Sequence, residues 1–397
     1  MQVTTSRLAT ESRSSRKSIL LVVLSSFTCW LVVSLVGLNW LIQTVKPLQY
    51  MKTTRFVPLE QNPLVSKLPA FFNSKERPEL LVLGSSLPME AIARYDAEYT
   101  GSFDDKNLDA VRIYTGARYL EHLIAEKTGT PITAFNLTCV ACMASDAELI
   151  LRRVIEAGRA PQIVIFGIGP RDFIDNLVPA VGKTPVCRLL SNRISLPEIF
   201  SEARSFDETR DLLVEQLVYV YKVRGDYKTM LTGWACDRLS HPADLYEVNQ
   251  LAKIKTWKLQ APEKNSAFKS PCTSKLSAYN DLSEWKERYQ PANFKRFEKE
   301  KASFQKMLAA CKKNGIRMIV VNMPITDENK NLIPEKLYSR YQQEICKMPL
   351  QFGDELLDLD ASNAFQISDF YDSAHVNAQG GKKVQDVMVS SAKTLSL

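Results

Sequence analysis

Glu79-Leu80-Leu81-Val82-Leu83-Gly84-Ser85-Ser86-Leu87 is the stretch that decides how this chain folds. Its apolar run has the length of a strand, and Gly84-Ser85-Ser86 ends it with residues that favour a turn. The pattern returns downstream. Residues 132–137 can form a second strand, and Gln162-Ile163-Val164-Ile165-Phe166-Gly167 is continuous and β-branched, as in buried parallel sheets. Arg317-Met318-Ile319-Val320-Val321-Asn322-Met323 and Glu355-Leu356-Leu357-Asp358-Leu359 complete the series. Helical spacing fills the gaps. Residues 111–127 stop at Gly129, and residues 146–157 carry Leu149, Ile150, Val154 and Ile155 on one face and end at Gly158. Phe297, Phe304, Leu308 and Cys311 mark a helix that stops near Asn314-Gly315, and a final helix is expected over 378–395. Alternating β and α units predict an α/β fold: a central parallel sheet, right-handed crossovers and helices on both faces. In such folds the site lies beyond the carboxyl ends of the strands, where both Gly84–Ser86 and Gly167–Asp172 fall.

Outside that rhythm lie two segments. Residues 181–290 hold helical pieces, such as 208–221, among scattered Pro, Trp and polar residues, and read as a mainly helical insertion. Residues 42–75 carry Pro47, Pro58, Pro63 and Pro69 without sustained periodicity, and read as a linker or arm. At 397 residues the chain can hold one large domain or two ordinary ones. Its 45% hydrophobic and 24% charged residues are those of a globular protein. The net charge of +7 is spread over mixed helix faces such as Lys295-Arg296-Phe297-Glu298-Lys299-Glu300-Lys301, so no nucleic-acid partner is expected.

No charged residue occurs between Lys17 and Lys46, and residues 19–41 form a mostly apolar run of 23 residues. That is long enough to cross a hydrocarbon core of about 30 Å. A cleaved signal peptide competes, but its apolar region is about 7–15 residues and a small-x-small cleavage site is missing here. An uncleaved transmembrane anchor is the reading. Trp30 and Trp40 are candidate interfacial residues, and Arg7, Arg13, Arg16 and Lys17 ahead of the run against Lys46, Lys52 and Arg55 behind it lean towards a cytoplasmic N-terminus. The organisation expected is thus a cytoplasmic tail (1–18), an anchor (19–41), a linker (42–75) and an extracytoplasmic domain (76–397), periplasmic or at the cell surface.

Seven cysteines follow the anchor: Cys139, Cys142, Cys187, Cys236, Cys272, Cys311 and Cys346. An oxidising compartment would allow some to pair, with at least one left over. Cys139-x-x-Cys142 lacks a second cysteine pair or nearby histidine, so no metal site is expected, and the two read as small residues in a turn.

The chemistry gathers at two places. Ser86 lies on a strand-to-helix turn, and Asp372-Ser373-Ala374-His375 places a base three residues after a carboxylate. Together they supply a nucleophile, a base and a group that orients the base, which are the parts nucleophilic acyl transfer needs. Each has a bland rival. Gly-Ser-Ser is a common turn, Asp372 could cap a helix, and Arg171 could simply pair with Asp172 or Asp175. His122, beside Glu121, belongs to a wet helix face, and His241 precedes Pro242 in the insertion. Asn136-Leu137-Thr138 fits a glycosylation sequon, but its strand context favours chance.

Gly84-Ser85-Ser86-Leu87 resembles the Gly-Asp-Ser-Leu block of SGNH (GDSL-type) hydrolases, with Ser86 in the nucleophile place. Phe135-Asn136-Leu137-Thr138 through Ala141 stands where the Asn-x-Gly-x-x-Gly block would, Gly169-Pro170-Arg171-Asp172 where Gly-x-Asn-Asp would, and Asp372-x-x-His375 matches the last block. The resemblance covers about 300 residues around the insertion. It implies a flavodoxin-like three-layer sandwich and a catalytic set of Ser86, Asp372 and His375. Ala141, Gly169 and Arg171 would then lie at the oxyanion and substrate, with no cofactor and no metal. The anchored layout resembles that of proteins that assist O-acylation of surface polymers, of the alginate O-acetylation and lipoteichoic-acid D-alanylation kind. The expected partners are therefore a cell-surface glycan or polymer and a membrane-bound acyltransferase. The departures matter: Thr138 and Ala141 stand for glycines, and Arg171 for the asparagine. Arginine cannot copy an amide, yet its fork of donors suits an oxyanion, carboxylate or phosphate. The expected function is transfer of an acyl group, acetyl first, onto or off a surface glycan through acyl-Ser86. The alternative is an inactive scaffold of the same fold that binds polymer or a membrane acyltransferase.

Overall fold

A computed structural model describes residues 26–51, 56–58, 63–178, 184–190, 200, 206–239, 256–258, 282–362, 364–393 and 395. Two units divide the chain: residues 1–47 with 195–224, and residues 48–194 with 225–397.

The first unit contains α1 (Phe27–Val45) and the short helices Phe206–Leu217 and Tyr219–Lys222. Ser26 caps α1 by accepting from the Cys29 N–H, and Lys46 closes it in the left-handed conformation. Residues Phe27–Gln49 are long and apolar enough to cross a membrane, with mean hydropathy 1.5 over the most apolar window. Of the span expected over 19–41, the first seven residues lie outside the described residues, and the helix runs past its expected end to Val45. Asn39 is one of its polar residues. Its side-chain amide donates to the Leu217 carbonyl at 3.1 Å and accepts from the Val220 N–H at 3.1 Å, satisfying both backbone groups where the two short helices meet.

The second unit is α/β. Its sheet has five parallel strands in the order β3-β2-β4-β6-β7: β2 (Leu80–Gly84), β3 (Ala134–Asn136), β4 (Ile163–Ile168), β6 (Arg317–Asn322) and β7 (Glu355–Asp358). Two further short strands, β1 (Phe56–Pro58) and β5 (Thr256–Lys258), pair antiparallel with each other. Counted along the chain, the sheet order is 2-1-3-4-5, a doubly wound arrangement whose switch point lies between β2 and β4. The chain leaves β2 one way to β3 and returns the other way to β4, so right-handed crossovers send the intervening helices to opposite faces. On one side α3 (Ser86–Thr100) packs with the helix Arg118–Thr128 and with the last helix. On the other, α4 (Ala144–Glu156) packs with the long helix Phe294–Lys313. Leu80, Leu81, Val82 and Leu83 are fully buried between these layers, each contributing about 1.5–3 kcal/mol of transfer free energy.

Two glycines set close approaches that position the site. Gly84 has φ +135°, and a Cβ there would come within 2.4 Å of the Gly167 carbonyl oxygen and 2.6 Å of Pro88. The ends of β2 and β4 thus meet the first turn of α3 with no room for a side chain. Gly381 plays the same part for the last helix (Ala378–Ser391), where a Cβ would fall 2.3 Å from the Ala91 carbonyl oxygen of α3.

The expected segments shift at several places. Residues 64–73, read as part of a linker, form the helix Leu64–Asn73, with Leu64, Val65, Leu68 and Phe71 buried, so its apolar face belongs to a core. Pro69 sits inside that helix. The single helix expected over 111–127 is two, Leu108–Ile113 and Arg118–Thr128, because the Asp96 carboxylate takes the Arg118 and Tyr119 N–H groups at the second helix's start. The last helix ends at Ser391 rather than 395. Much of the 181–290 insertion lies outside the described residues; its described parts include the helices Pro185–Leu190, Arg224–Leu239 and Leu282–Tyr289.

Candidate active site

Ser85 and Ser86 follow directly from β2. Ser85 takes the N-cap position of α3, and Ser86 is the first helical residue, at 9% exposure. His375 comes from the other end of the domain, on a loop pinned by a bridge between Phe370 and Val376 and by the Tyr371 N–H donating to the His375 carbonyl at 2.7 Å. Its Nε2 lies 2.8 Å from Ser86 Oγ, and its Nδ1 lies 2.8 Å from Asp372 Oδ2. Asp372 Oδ1 accepts the Ala374 and His375 N–H groups, each at 2.8 Å. One carboxylate oxygen therefore shapes the turn while the other orients the imidazole. A buried chain holds the loop from behind: Tyr289 to Asn329 at 2.7 Å, Asn329 to the Ser373 hydroxyl at 3.0 Å, and Thr326 to the Ser373 carbonyl at 2.9 Å.

The electrostatics follow from this packing. Burial pulls the His375 pKa down, but the Asp372 charge, the Glu90 charge and the Asp372 hydrogen bond outweigh it and push it up to about 9. Burial raises Asp372, yet His375 and the two backbone donors carry it below its ordinary value. The pair is built to favour an imidazolium beside a carboxylate.

Of the three positions expected at an oxyanion, the structure separates one from the others. Ala141 has φ +56°, the left-handed conformation that a glycine takes without strain. The turn carrying it is tied to the serine turn by the Cys139 N–H, which donates to the Gly84 carbonyl at 3.1 Å. Among the described residues, neither the Ala141 N–H nor the Ser86 N–H has an acceptor. Arg171 is otherwise engaged. Its Nη1 lies 3.0 Å from Asp175 and its Nη2 3.0 Å from Asp172, with the Cys142 carbonyl at 3.4 Å. Both terminal nitrogens of Arg171 are thus taken by buried carboxylates, the structural pairing that rivals an oxyanion role, while its buried Nε has no hydrogen-bond partner among the described residues. Gly169 also serves the fold: its N–H donates to Asp172 Oδ2 at 2.9 Å, and that oxygen takes the Ser85 hydroxyl at 3.2 Å. Burial pushes Asp172 upward against the pull of Arg171 and these donors.

His122 is partly exposed and faces Glu126 at 3.3 Å, and His241 lies outside the described residues. Asn136 is fully buried and accepts from Thr138, so the sequon is part of the core. Cys139 and Cys142 are buried thiols, and no group of residues suited to a metal occurs among the described residues.

Three site residues escaped the sequence reading. Glu90 and Arg94 lie four and eight residues after Ser86, on the same face of α3. Glu90 Oε1 is 3.9 Å from His375 Nε2, while Oε2 accepts Arg94 Nε and Nη2 at 2.8 and 2.7 Å. Trp285 comes from the helix Leu282–Tyr289, its ring centroid 6.2 Å from that of His375. The i, i+4, i+8 spacing of Ser86, Glu90 and Arg94 was a usable signal; for Trp285 there was none. Comparison with models of protein families finds no match, and no curated protein matches the chain.

Proposed function

We propose that this protein carries out serine acyl transfer through an acyl-Ser86 intermediate. It would act as an O-acyltransferase or esterase, with acetyl the first group to test, on a cell-surface glycan or polymer. The observation that carries the reading is the continuous chain from Ser86 Oγ through both nitrogens of His375 to Asp372, each step 2.8 Å, at the carboxyl end of β2. His375 Nε2 would take the Ser86 proton as Oγ attacks the acyl carbonyl, and Asp372 would hold the imidazole and stabilise its charged form. The free N–H groups of Ser86 and Ala141 are the donors available to the tetrahedral oxyanion. Phe27–Gln49 would anchor the chain, with its α/β domain outside the cytoplasm beside a membrane-bound acyltransferase.

The engagement of Arg171 by Asp172 and Asp175 supports a second reading, an inactive scaffold of the same fold, since it ties up both terminal nitrogens of one expected oxyanion donor. A fluorophosphonate probe separates the two. Wild-type protein should gain one adduct, mapped to Ser86 and lost in Ser86→Ala and His375→Ala. A well-folded wild type that gains none supports the scaffold.

A further inference from the structure

Glu90 has one oxygen fixed and one available. Two Arg94 nitrogens converge on Oε2, Arg94 Nη1 is itself tied to the Asp105 carbonyl at 2.7 Å, and its guanidinium lies 4.3 Å above the Tyr371 ring. The carboxylate therefore cannot swing. Oε1 has no hydrogen-bond partner among the described residues and stands 3.9 Å from His375 Nε2, beyond hydrogen-bond range of it.

With His375 in its neutral form, as attack requires, Ser86 Oγ can donate to Nε2. Once Ser86 is acylated, Oγ has no proton to give, and neutral Nε2 and Oε1 become two acceptors side by side. A monohydric alcohol brings one O–H and satisfies one of them. Two neighbouring hydroxyls satisfy both. Water could also supply two O–H bonds, but the Trp285 ring beside His375 offers an apolar face that suits the C–H face of a sugar ring. We propose that Glu90 and His375 form a two-point clamp for the acceptor, and that the acceptor is a sugar presenting a vicinal diol. The proposal rests on the acyl-Ser86 reading above. In the step, one hydroxyl oxygen attacks the acyl carbon as its proton passes to Nε2. The bond from the acyl carbon to Ser86 Oγ breaks, and Nε2 returns that proton to Oγ. The second hydroxyl keeps its proton and donates to Oε1 throughout, so no further reactant is needed.

The test uses the full chain in detergent, acetylated by p-nitrophenyl acetate, with acyl-Ser86 read first by intact mass. Transfer is then compared between cis-1,2-cyclohexanediol and cyclohexanol, which differ by one hydroxyl. Wild type should favour the diol by about tenfold, the effect of one hydrogen bond to a charged group. Glu90→Ala should reduce that to the statistical preference for two hydroxyls over one, and Glu90→Gln, which keeps the side chain's size, should lower it as well. Equal transfer to both alcohols by acylated wild type overturns the clamp. So does a diol preference that survives in both variants, or release to water with no ester formed. Absence of acyl-Ser86 in wild type removes the serine reading itself, and the clamp with it.

Discussion

Two buried arginines follow strand ends in this domain, and their partners decide what each can do. Arg171, after β4, meets two carboxylates, and a second arginine, Arg288, also pairs with Asp175. Arg94, on the helix after β2, meets one carboxylate through a single oxygen, which leaves the other facing His375. The first arrangement closes on itself and fixes a turn. The second holds a charge still and points it at His375. A buried ion pair is therefore read by what its members have left over rather than by its presence.

The sharpest break between acting and supporting residues lies at the histidine. His375→Ala and Asp372→Asn should each slow probe labelling of Ser86 by about 10³–10⁴-fold with the fold intact, as judged by circular dichroism. Labelling within tenfold of wild type would return His375 to the supporting class. Next, Arg171→Met should cost about 3–5 kcal/mol in urea unfolding, because Asp172 loses its ion-pair partner in the interior. Labelling per folded molecule should persist; if it vanished while stability held, Arg171 would belong with the chemistry after all.

Glu300 extends the comparison to a carboxylate for which burial outweighs the pull of the nearby Arg296. It accepts the Ser145 N–H at 2.7 Å and the Ser145 hydroxyl at 3.2 Å, and burial, with Asp146 nearby, raises its pKa to about 8. Between the ordinary value of 4.5 and about 8, the folded state keeps a proton that the unfolded state releases, so this group's contribution falls as pH rises through that window. Glu300→Gln should be close to neutral below 4.5 and more stable than wild type above pH 8, by about 1–2 kcal/mol in thermal unfolding. The smallest expected effect is at Glu90. The neutral, proton-accepting form of His375 grows as pH rises towards about 9, so wild-type labelling should rise over that range. Glu90→Gln removes a charge that holds the histidine up, and its labelling profile should move to lower pH. An unmoved profile would assign Glu90 to packing alone.

The sequence made the sheet legible because most of its strands are short apolar runs that stop at or near Gly, Asn or Asp, and these mark buried parallel strands without help from distant contacts. Ser86, Asp372 and His375 were legible through local spacing for the last two and a strand-end turn for the first. The partners of Arg171 were not legible in the sequence, for a physical reason. A guanidinium's role depends on which carboxylates face it, and Asp175 lies one helical turn on, where a structural pairing and a ligand site have the same spelling. The helix Leu64–Asn73 was hidden by Pro69, since proline inside a helix argues against one. Trp285 reaches the site from the far edge of the insertion, a tertiary fact with no local pattern.

Ser86 and His375 stand 289 positions apart, and the helix that follows His375 seats on α3 through Gly381 against Ala91. A chain made from its N-terminus exposes the serine long before the histidine. On the acyl-Ser86 proposal, the serine would stay an ordinary alcohol until the helix after His375 docks. Seating of that helix would then double as the arming step, and a half-built domain would carry no activated serine.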